Sequence, residues 1–186
     1  SEGKKMNMQI GIIGFGFTGH LHWRHLQNME GIRIVAVCDI DPEQLKDVQD
    51  TPGLTVYHDA DQLIADPKVN VVLVAVPNHL HLEMVLKAAK AKKHILCEKP
   101  AAMNVAQFDQ MMHAVRENNV MFSVHQQRRF DKDFAIAKRV FDEGMVGKPY
   151  VIKSQLYGAN GYMHDWHVYK KYGGGMLYDW GVHLID

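Results

Sequence analysis

The stretch from Ile10 to Gly19 reads I-G-I-I-G-F-G-F-T-G and contains the pattern G-x-G-x-x-G. It follows an apolar run typical of a strand and opens a segment typical of a helix. In this context the first glycine permits a tight turn, the second lets the backbone approach a pyrophosphate, and the third packs helix on strand. An isolated match also occurs in purely structural turns. We expect these residues to bind a dinucleotide: Gly14, Phe15, Gly16, Phe17, Thr18 and Gly19.

Short apolar runs alternate with amphipathic segments throughout the first 125 residues. We predict six strands: Gln9–Ile13, Ile32–Cys38, Leu54–Tyr57, Val71–Ala75, His94–Cys97 and Val120–Val124. Helical spacing of apolar residues predicts crossover helices after Asn78 and after the N-cap Asn104. This alternation favours an α/β fold, a doubly wound parallel (Rossmann) sheet, over residues 8–125.

The alternation ends at an Arg-rich link, after which we expect the start of a second α/β domain over residues 126–186. The predicted elements are a helix from about Asp133 to Glu143, a strand at Tyr150–Leu156, an aperiodic loop at Gly158–Gly175 and a helix from about Met176 onward. These elements cannot close a sheet by themselves. We therefore expect the second domain to be incomplete.

The charge balance of the chain argues against two classes of partner. Lys plus Arg and Asp plus Glu both number 21, so no field of a single sign favours a nucleic-acid backbone or an anionic membrane. No apolar run approaches the roughly 20 residues of a spanning helix, and the amino end lacks the apolar middle of a signal peptide. The only two cysteines end apolar runs, as buried thiols do. We expect a cytoplasmic protein.

Asp39 ends the second predicted strand, twenty residues after Gly19. A carboxylate there accepts hydrogen bonds from the adenosine ribose hydroxyls and repels the 2′-phosphate of NADP. Ile40 and Asp41 supply no cation that would rescue NADP binding. Asp39 therefore favours NAD, with a cap in the turn D-I-D-P as the alternative.

Two further motifs lie at the carboxyl ends of predicted strands. This is the edge at which open parallel sheets bind ligands. They read V-V-L-V-A-V-P-N-H-L-H from Val71 to His81 and C-E-K-P from Cys97 to Pro100. A lysine facing a nicotinamide there could hydrogen-bond the reacting oxygen, although a Lys beside a Glu is more commonly a solvated ion pair. We expect cofactor contacts from Pro77, Asn78, His81, Glu98 and Lys99.

The last motif reads G-G-G-M-L-Y-D-W-G-V-H-L-I-D, from Gly173 to Asp186. Asp179 and His183 stand four residues apart and so share one helical face. An acid that orients a histidine makes a proton-transfer device, but pairs at this spacing are more commonly structural.

Together these motifs resemble the Gfo/Idh/MocA family, which includes glucose-fructose oxidoreductases and inositol dehydrogenases. The resemblance covers about Met8 to Asp186 and implies that Lys99, Asp179 and His183 form the catalytic set. His183 would be the general base, Lys99 would steady the developing alkoxide, and Asp179 would orient the base and hold a substrate hydroxyl. The family also implies homo-oligomers in full-length proteins. Similar proteins usually have Gly at the position of Lys92, which ends a helix in a left-handed turn.

Substrate contacts are expected from residues of the second domain. Arg128 and Arg129 lie in the link Q-Q-R-R-F, and Trp166 could stack on a sugar face, although structural roles are as common for all three. Asp179 completes this set.

The chain is rich in histidine but shows no matching carboxylate cluster, so we predict no metal. We interpret the histidines on the first helix and in the later loop as surface or cofactor-edge residues: His20, His22, His25, His164 and His167.

The sequence thus predicts an NAD-dependent dehydrogenase that transfers a hydride from a sugar, polyol or cyclitol hydroxyl. Two alternatives stay open: a module that binds or senses NAD without turnover, and an NAD-assisted glycosidase or lyase of the same family.

Overall fold

A six-stranded sheet forms the framework of the first part of the chain. The computed structural model describes residues 7–157 and 165–186. Its strands are β1 (Met8–Ile13), β2 (Ile32–Cys38), β3 (Thr55–Tyr57), β4 (Val71–Val74), β5 (His94–Glu98) and β6 (Phe122–His125). They are ordered β3-β2-β1-β4-β5-β6, and the pairs β1–β2, β1–β4, β2–β3 and β4–β5 are parallel. This is the doubly wound order, so the predicted fold class is confirmed.

Helices follow β1, β3, β4 and β5 and supply crossovers between parallel strands, whereas only a 3-10 turn at Pro42–Leu45 lies between β2 and β3. The helices are α1 (Phe17–Leu26), α2 (Ala60–Ala65), α3 (His81–Lys90) and α4 (Val105–Asn118). The predicted cap Asn104 accepts a hydrogen bond from the Gln107 N–H at 2.9 Å, and α3 is preceded by a 3-10 turn at Asn78–Leu80. No helix among the described residues is long and apolar enough to cross a membrane.

The core lies on both faces of the sheet because successive strand residues point to opposite sides. On one face Ile12, which is fully buried, packs in a cluster that includes Phe15 and receives Trp23 of α1. On the other face Ile13 belongs to a larger cluster under α3 and α4. The continuous runs of Val and Ile in the sequence reflect this burial on both sides.

Lys92 follows α3 in the left-handed conformation, at a position where the family resemblance implies a glycine. Its φ is +60°, and the N–H groups of Lys92 and Lys93 donate to the carbonyls of Ala89 and Ala88 at 2.9 and 3.0 Å. This pair of bonds is a Schellman motif. A side chain at this position strains the backbone.

The chain divides into two units, Ser1–Val124 and His125–Asp186. The second contains α5 (Lys132–Asp142), a π-helical segment at Leu177–Gly181 and α6 (Val182–Ile185). The predicted helix at Asp133–Glu143 is confirmed, and the terminal helix is present with a π-helical first half. Positions 158–164 of the predicted loop lie outside the described residues.

The predicted strand at Tyr150–Leu156 is wrong, since the structure has no strand there. Tyr150 and Ile152 are 95% and 83% exposed. A strand exists only through hydrogen bonds to a neighbour, and the described residues after β6 contain no other strand. The alternating sequence alone therefore does not produce the element.

Candidate functional site

In the bend after β1, two glycines have no room for a side chain, whereas the third borders open space. Gly14 has a φ of +88°, and a Cβ there would lie 2.6 Å from the Ala75 backbone. A Cβ on Gly19 would lie 2.2 Å from the Gly14 carbonyl oxygen, whereas a Cβ on Gly16 would meet nothing within 4 Å. Gly14 and Gly19 are thus required by the fold. The open space at Gly16, where α1 begins, fits a ligand phosphate approaching the helix N–H groups.

Asp39 connects the end of β2 to this bend. Its Oδ2 accepts a hydrogen bond from the Phe15 N–H at 2.7 Å, and its Oδ1 accepts one from the Asp41 N–H at 2.9 Å. The residue is half-buried. Because each carboxylate oxygen has two lone pairs, both oxygens retain capacity to accept a further bond. Asp39 therefore caps the following turn and also lies beside the glycine bend.

The other residues of the bend differ in what they present. Phe15 is fully buried, with its ring 4.2 Å from the ring of His20 and 6.3 Å from that of Trp23. Its contribution to a ligand site is limited to the backbone. Phe17 is 86% exposed, and Thr18 is half-buried.

His81 is completely buried behind the ends of β4 and β5. Its Nδ1 lies 2.8 Å from the Pro100 carbonyl oxygen and its Nε2 lies 2.9 Å from that of Val76. Burial lowers the pKa of His81, against the effect of the backbone bonds, which raise it. Since both ring nitrogens face backbone oxygens, His81 connects two strand-end loops and offers no nitrogen to a ligand. Pro77 and Asn78, in the first of these loops, are half-buried and 4% exposed.

Glu98 and Lys99 follow one another at the carboxyl end of β5, and their environments differ. Glu98 is 9% exposed, with its Oε1 2.6 Å from Nε2 of His22. Its Oε2 accepts a hydrogen bond from the Lys99 N–H at 3.2 Å. Lys99 is half-buried. The E-K-P motif therefore presents a lysine at the sheet edge and turns its glutamate inward.

The interpretation of His22 as a surface histidine is wrong. It is 7% exposed, whereas His20 and His25 on the same helix are half-buried and exposed. The sequence signal for this burial is spacing. His22 lies three residues after Gly19, so both share the helix face that packs on the sheet.

In the second unit, the glycine run packs on a short turn that carries Trp166. A Cβ on Gly174 would lie 2.2 Å from the His167 carbonyl oxygen, and the Gly175 N–H donates to that oxygen at 2.8 Å. The Trp166 ring is stacked on that of His167 at 3.8 Å. Trp166, whose ring could stack on a sugar face, is half-buried.

Asp179 and His183 lie on the helical segment that follows the glycine run. The Asp179 N–H donates to the Gly175 carbonyl at 3.0 Å, and the His183 ring lies edge-on to Trp180 at 5.9 Å. Both residues are half-buried. Lys99 belongs to the first unit, and Asp179 and His183 belong to the second.

The two arginines of the link each pair with a carboxylate. Arg128 donates to Asp131 at 3.0 Å and lies over the Trp180 ring at 4.8 Å. Arg129 donates through two nitrogens to Asp186, and this bidentate contact holds the pKa of Asp186 below its usual range. Both guanidinium groups thus have structural partners.

The order of the sheet, the open glycine bend and the acid beside it are those of a dinucleotide-binding Rossmann domain. Residues 8–126 match the family model described as "Oxidoreductase family, NAD-binding Rossmann fold". Residues 134–186 match the GFO/IDH/MocA C-terminal domain. The chain belongs to the Gfo/Idh/MocA family.

Individual relatives agree with this assignment. A myo-inositol 2-dehydrogenase of Thermotoga maritima is 33% identical over 180 residues, which are 96% of this chain and 53% of that protein. A crystal structure of an NAD-binding protein from Listeria innocua superposes with a TM-score of 0.91 at 37% identity, over 96% of this chain and 53% of that one. A scyllo-inositol dehydrogenase from Lactobacillus casei, with bound NAD(H) and scyllo-inositol, gives 0.70 at 25% identity, over 76% and 42%. The chain spans about half the length of the curated relatives it matches.

Proposed function

We propose that the protein is an NAD-dependent dehydrogenase that oxidises a hydroxyl group of a cyclitol, polyol or sugar. The observation that carries the proposal is the contact between Asp39 and the glycine bend, beside the space that Gly16 leaves open. A carboxylate in this place suits the two hydroxyls of a ribose, and the helix start suits a diphosphate.

The proposed cofactor site lies within residues 8–125, with residues 126–186 assigned to substrate binding. The backbone from Gly14 to Gly19 would hold the diphosphate, and Asp39 would accept from the ribose hydroxyls. Because a carboxylate repels a 2′-phosphate, we assign NAD rather than NADP. When bound, NAD supplies the hydride acceptor. Pro77, Asn78 and Lys99 complete the site at the ends of β4 and β5.

We propose catalytic roles for Lys99 in the first unit and for Asp179 and His183 in the second. His183 takes the hydroxyl proton, the Lys99 ammonium stabilises the developing alkoxide, and Asp179 orients the base. Arg128, Arg129 and Trp166 remain the proposed substrate contacts. Arg128 and Arg129 would act while still paired with Asp131 and Asp186. Their role would then be to position the link at residues 126–130 as well as to meet substrate oxygens.

The substrate class comes from the relatives. The Thermotoga maritima protein is named for myo-inositol and the Lactobacillus casei protein for scyllo-inositol. Both are ring polyols, and we extend that class to this protein.

The test is NAD⁺ reduction with a panel of inositols, linear polyols and sugars, followed by Lys99→Ala and His183→Ala. Each variant should lose at least about a hundredfold in kcat while NADH affinity stays within about threefold. Lys90→Ala and His113→Ala, on exposed helix surfaces, are the matched controls and should match wild type.

Other outcomes separate the alternatives. Binding of NAD without reduction by any alcohol would favour a sensing module. A retained cofactor with turnover of glycosides and no net NADH release would favour a glycosidase or lyase. Wild-type activity in both Lys99→Ala and His183→Ala would overturn the catalytic assignment.

A further inference from the structure

His22 and Glu98 form a buried pair that the proposed reaction does not use. The imidazole Nε2 and the carboxylate Oε1 lie 2.6 Å apart, and the two side chains are 8% and 11% exposed. With Glu98 ionised, its oxygen accepts and Nε2 carries the donated hydrogen. The distance is short for an N–H···O hydrogen bond.

The pair connects two structures that the proposed function needs. His22 lies on α1, the helix that begins at the glycine bend, and Glu98 is the last residue of β5. The second Glu98 oxygen accepts the backbone N–H of Lys99 at 3.2 Å. A continuous series of contacts therefore runs from the phosphate-facing helix through His22 and Glu98 to the backbone of Lys99.

A buried carboxylate holds its orientation only while donors satisfy its oxygens. If the His22 donor is lost, the short contact that orients the Glu98 carboxylate is lost with it, and the donors that remain set a new balance. We expect the oxygen that receives the Lys99 N–H to shift as a result. The orientation of Lys99 thus depends on a residue that is far from it in sequence.

We propose that His22 is a positioning residue for Lys99, acting through Glu98. The proposal rests on the proposed function for its kinetic consequence, but its structural part stands on the contacts alone. It predicts that removing the Nε2 donor loosens the start of the E-K-P loop while the sheet and the glycine bend stay intact.

Two polar substitutions separate positioning from packing. In His22→Gln the side-chain amide nitrogen occupies the place of Nε2 and can still donate to Glu98, whereas the shorter side chain in His22→Asn cannot reach it. His25→Asn, on the exposed face of the same helix, is the control.

The first measurement is amide hydrogen exchange by NMR in the chain without cofactor. In His22→Asn the Lys99 amide should exchange about tenfold faster or more, while the amide of Val72 in the sheet core is unchanged. His22→Gln and His25→Asn should resemble wild type. Equal Lys99 exchange in wild type and His22→Asn would overturn the proposal. So would a parallel increase at Lys99 and Val72, which indicates a merely structural role.

If His22→Asn does not fold, His22→Phe carries the same test. Its ring fills the space of the imidazole but carries no donor for Glu98, so the Lys99 amide should exchange faster than in wild type. Unchanged exchange in this variant would contradict the proposal.

The second measurement is steady-state kinetics with NAD⁺ and an inositol. His22→Asn should lower kcat about tenfold with the KM for NAD⁺ within about twofold, and His22→Gln should recover most of the loss. A wild-type protein without turnover would refute the proposed function and leave the exchange result to decide the role of His22. Turnover in wild type with equal kcat in His22→Asn would refute the positioning role alone.

Discussion

The Phe15 N–H donates a hydrogen bond of 2.7 Å to Oδ2 of Asp39. This contact joins the bend after β1 to the end of β2, two adjacent parallel strands. It fixes the orientation of the carboxylate before any ligand arrives, and such preorganisation lowers the cost of binding.

Substitution of Asp39 should change cofactor preference. Asp39→Ser removes the charge that repels a 2′-phosphate and the bond to Phe15, so NADH affinity should fall about tenfold, or about 1.4 kcal/mol, while NADPH affinity rises. Fluorescence titration with both cofactors measures the ratio. Asp41→Ser, two residues along the same turn, should leave the ratio unchanged, and an unchanged ratio in Asp39→Ser would refute the role of its carboxylate.

Gly16 and Gly19 should respond differently to alanine. A Cβ on Gly16 meets no protein atom, so Gly16→Ala should fold normally but obstruct the diphosphate and weaken NADH binding at least about tenfold. A Cβ on Gly19 lies 2.2 Å from the Gly14 carbonyl oxygen, so Gly19→Ala should also lower the melting temperature. Thermal unfolding and cofactor titration of both variants provide the check. Tight NADH binding by Gly16→Ala would be the contrary result.

Replacing Lys92 should stabilise the protein. Lys92→Gly relieves a side chain at a φ of +60°, and we expect the free energy of unfolding to rise by about 0.5–1 kcal/mol. The matched control is Lys90→Gly at the last position of α3, which should lower it by about 1 kcal/mol. Urea denaturation measures both, and a loss of stability in Lys92→Gly would contradict the strain argument.

The two cysteines should be unreactive in the folded protein. Burial raises the pKa of Cys38 to about 12 and also raises the pKa of Cys97. At about pH 8 neither should react rapidly with a thiol reagent until denaturant is added. Because ionisation is disfavoured only in the folded state, the free energy of unfolding should fall as the pH rises above about 9. Fast labelling of either thiol without denaturant would show that the burial is wrong.

The sequence was informative where one local rule dominates. Strand β2 has the predicted bounds because a run of Val and Ile with a turn after it has few other solutions. Asn104 was predictable for the same reason, since a helix cap is set by neighbours in the chain. The left-handed helix end at Lys92 was inferred from the family resemblance instead.

The sequence was less informative where contacts between distant residues determine the structure. The pairing of His22 with Glu98 joins positions 76 residues apart, and composition favours a surface histidine. The buried position of His81 likewise involves a residue distant in sequence, because its Nδ1 lies 2.8 Å from the Pro100 carbonyl oxygen. The strand predicted at Tyr150–Leu156 failed because alternation specifies a face but supplies no partner strand.

Calorimetric titration of the chain with NADH and NADPH, side by side, tests the roles assigned to Asp39 and the glycine bend. We expect saturable binding of NADH that is at least about tenfold tighter than that of NADPH. No saturable NADH binding, or NADPH binding of equal or greater strength, would contradict these roles.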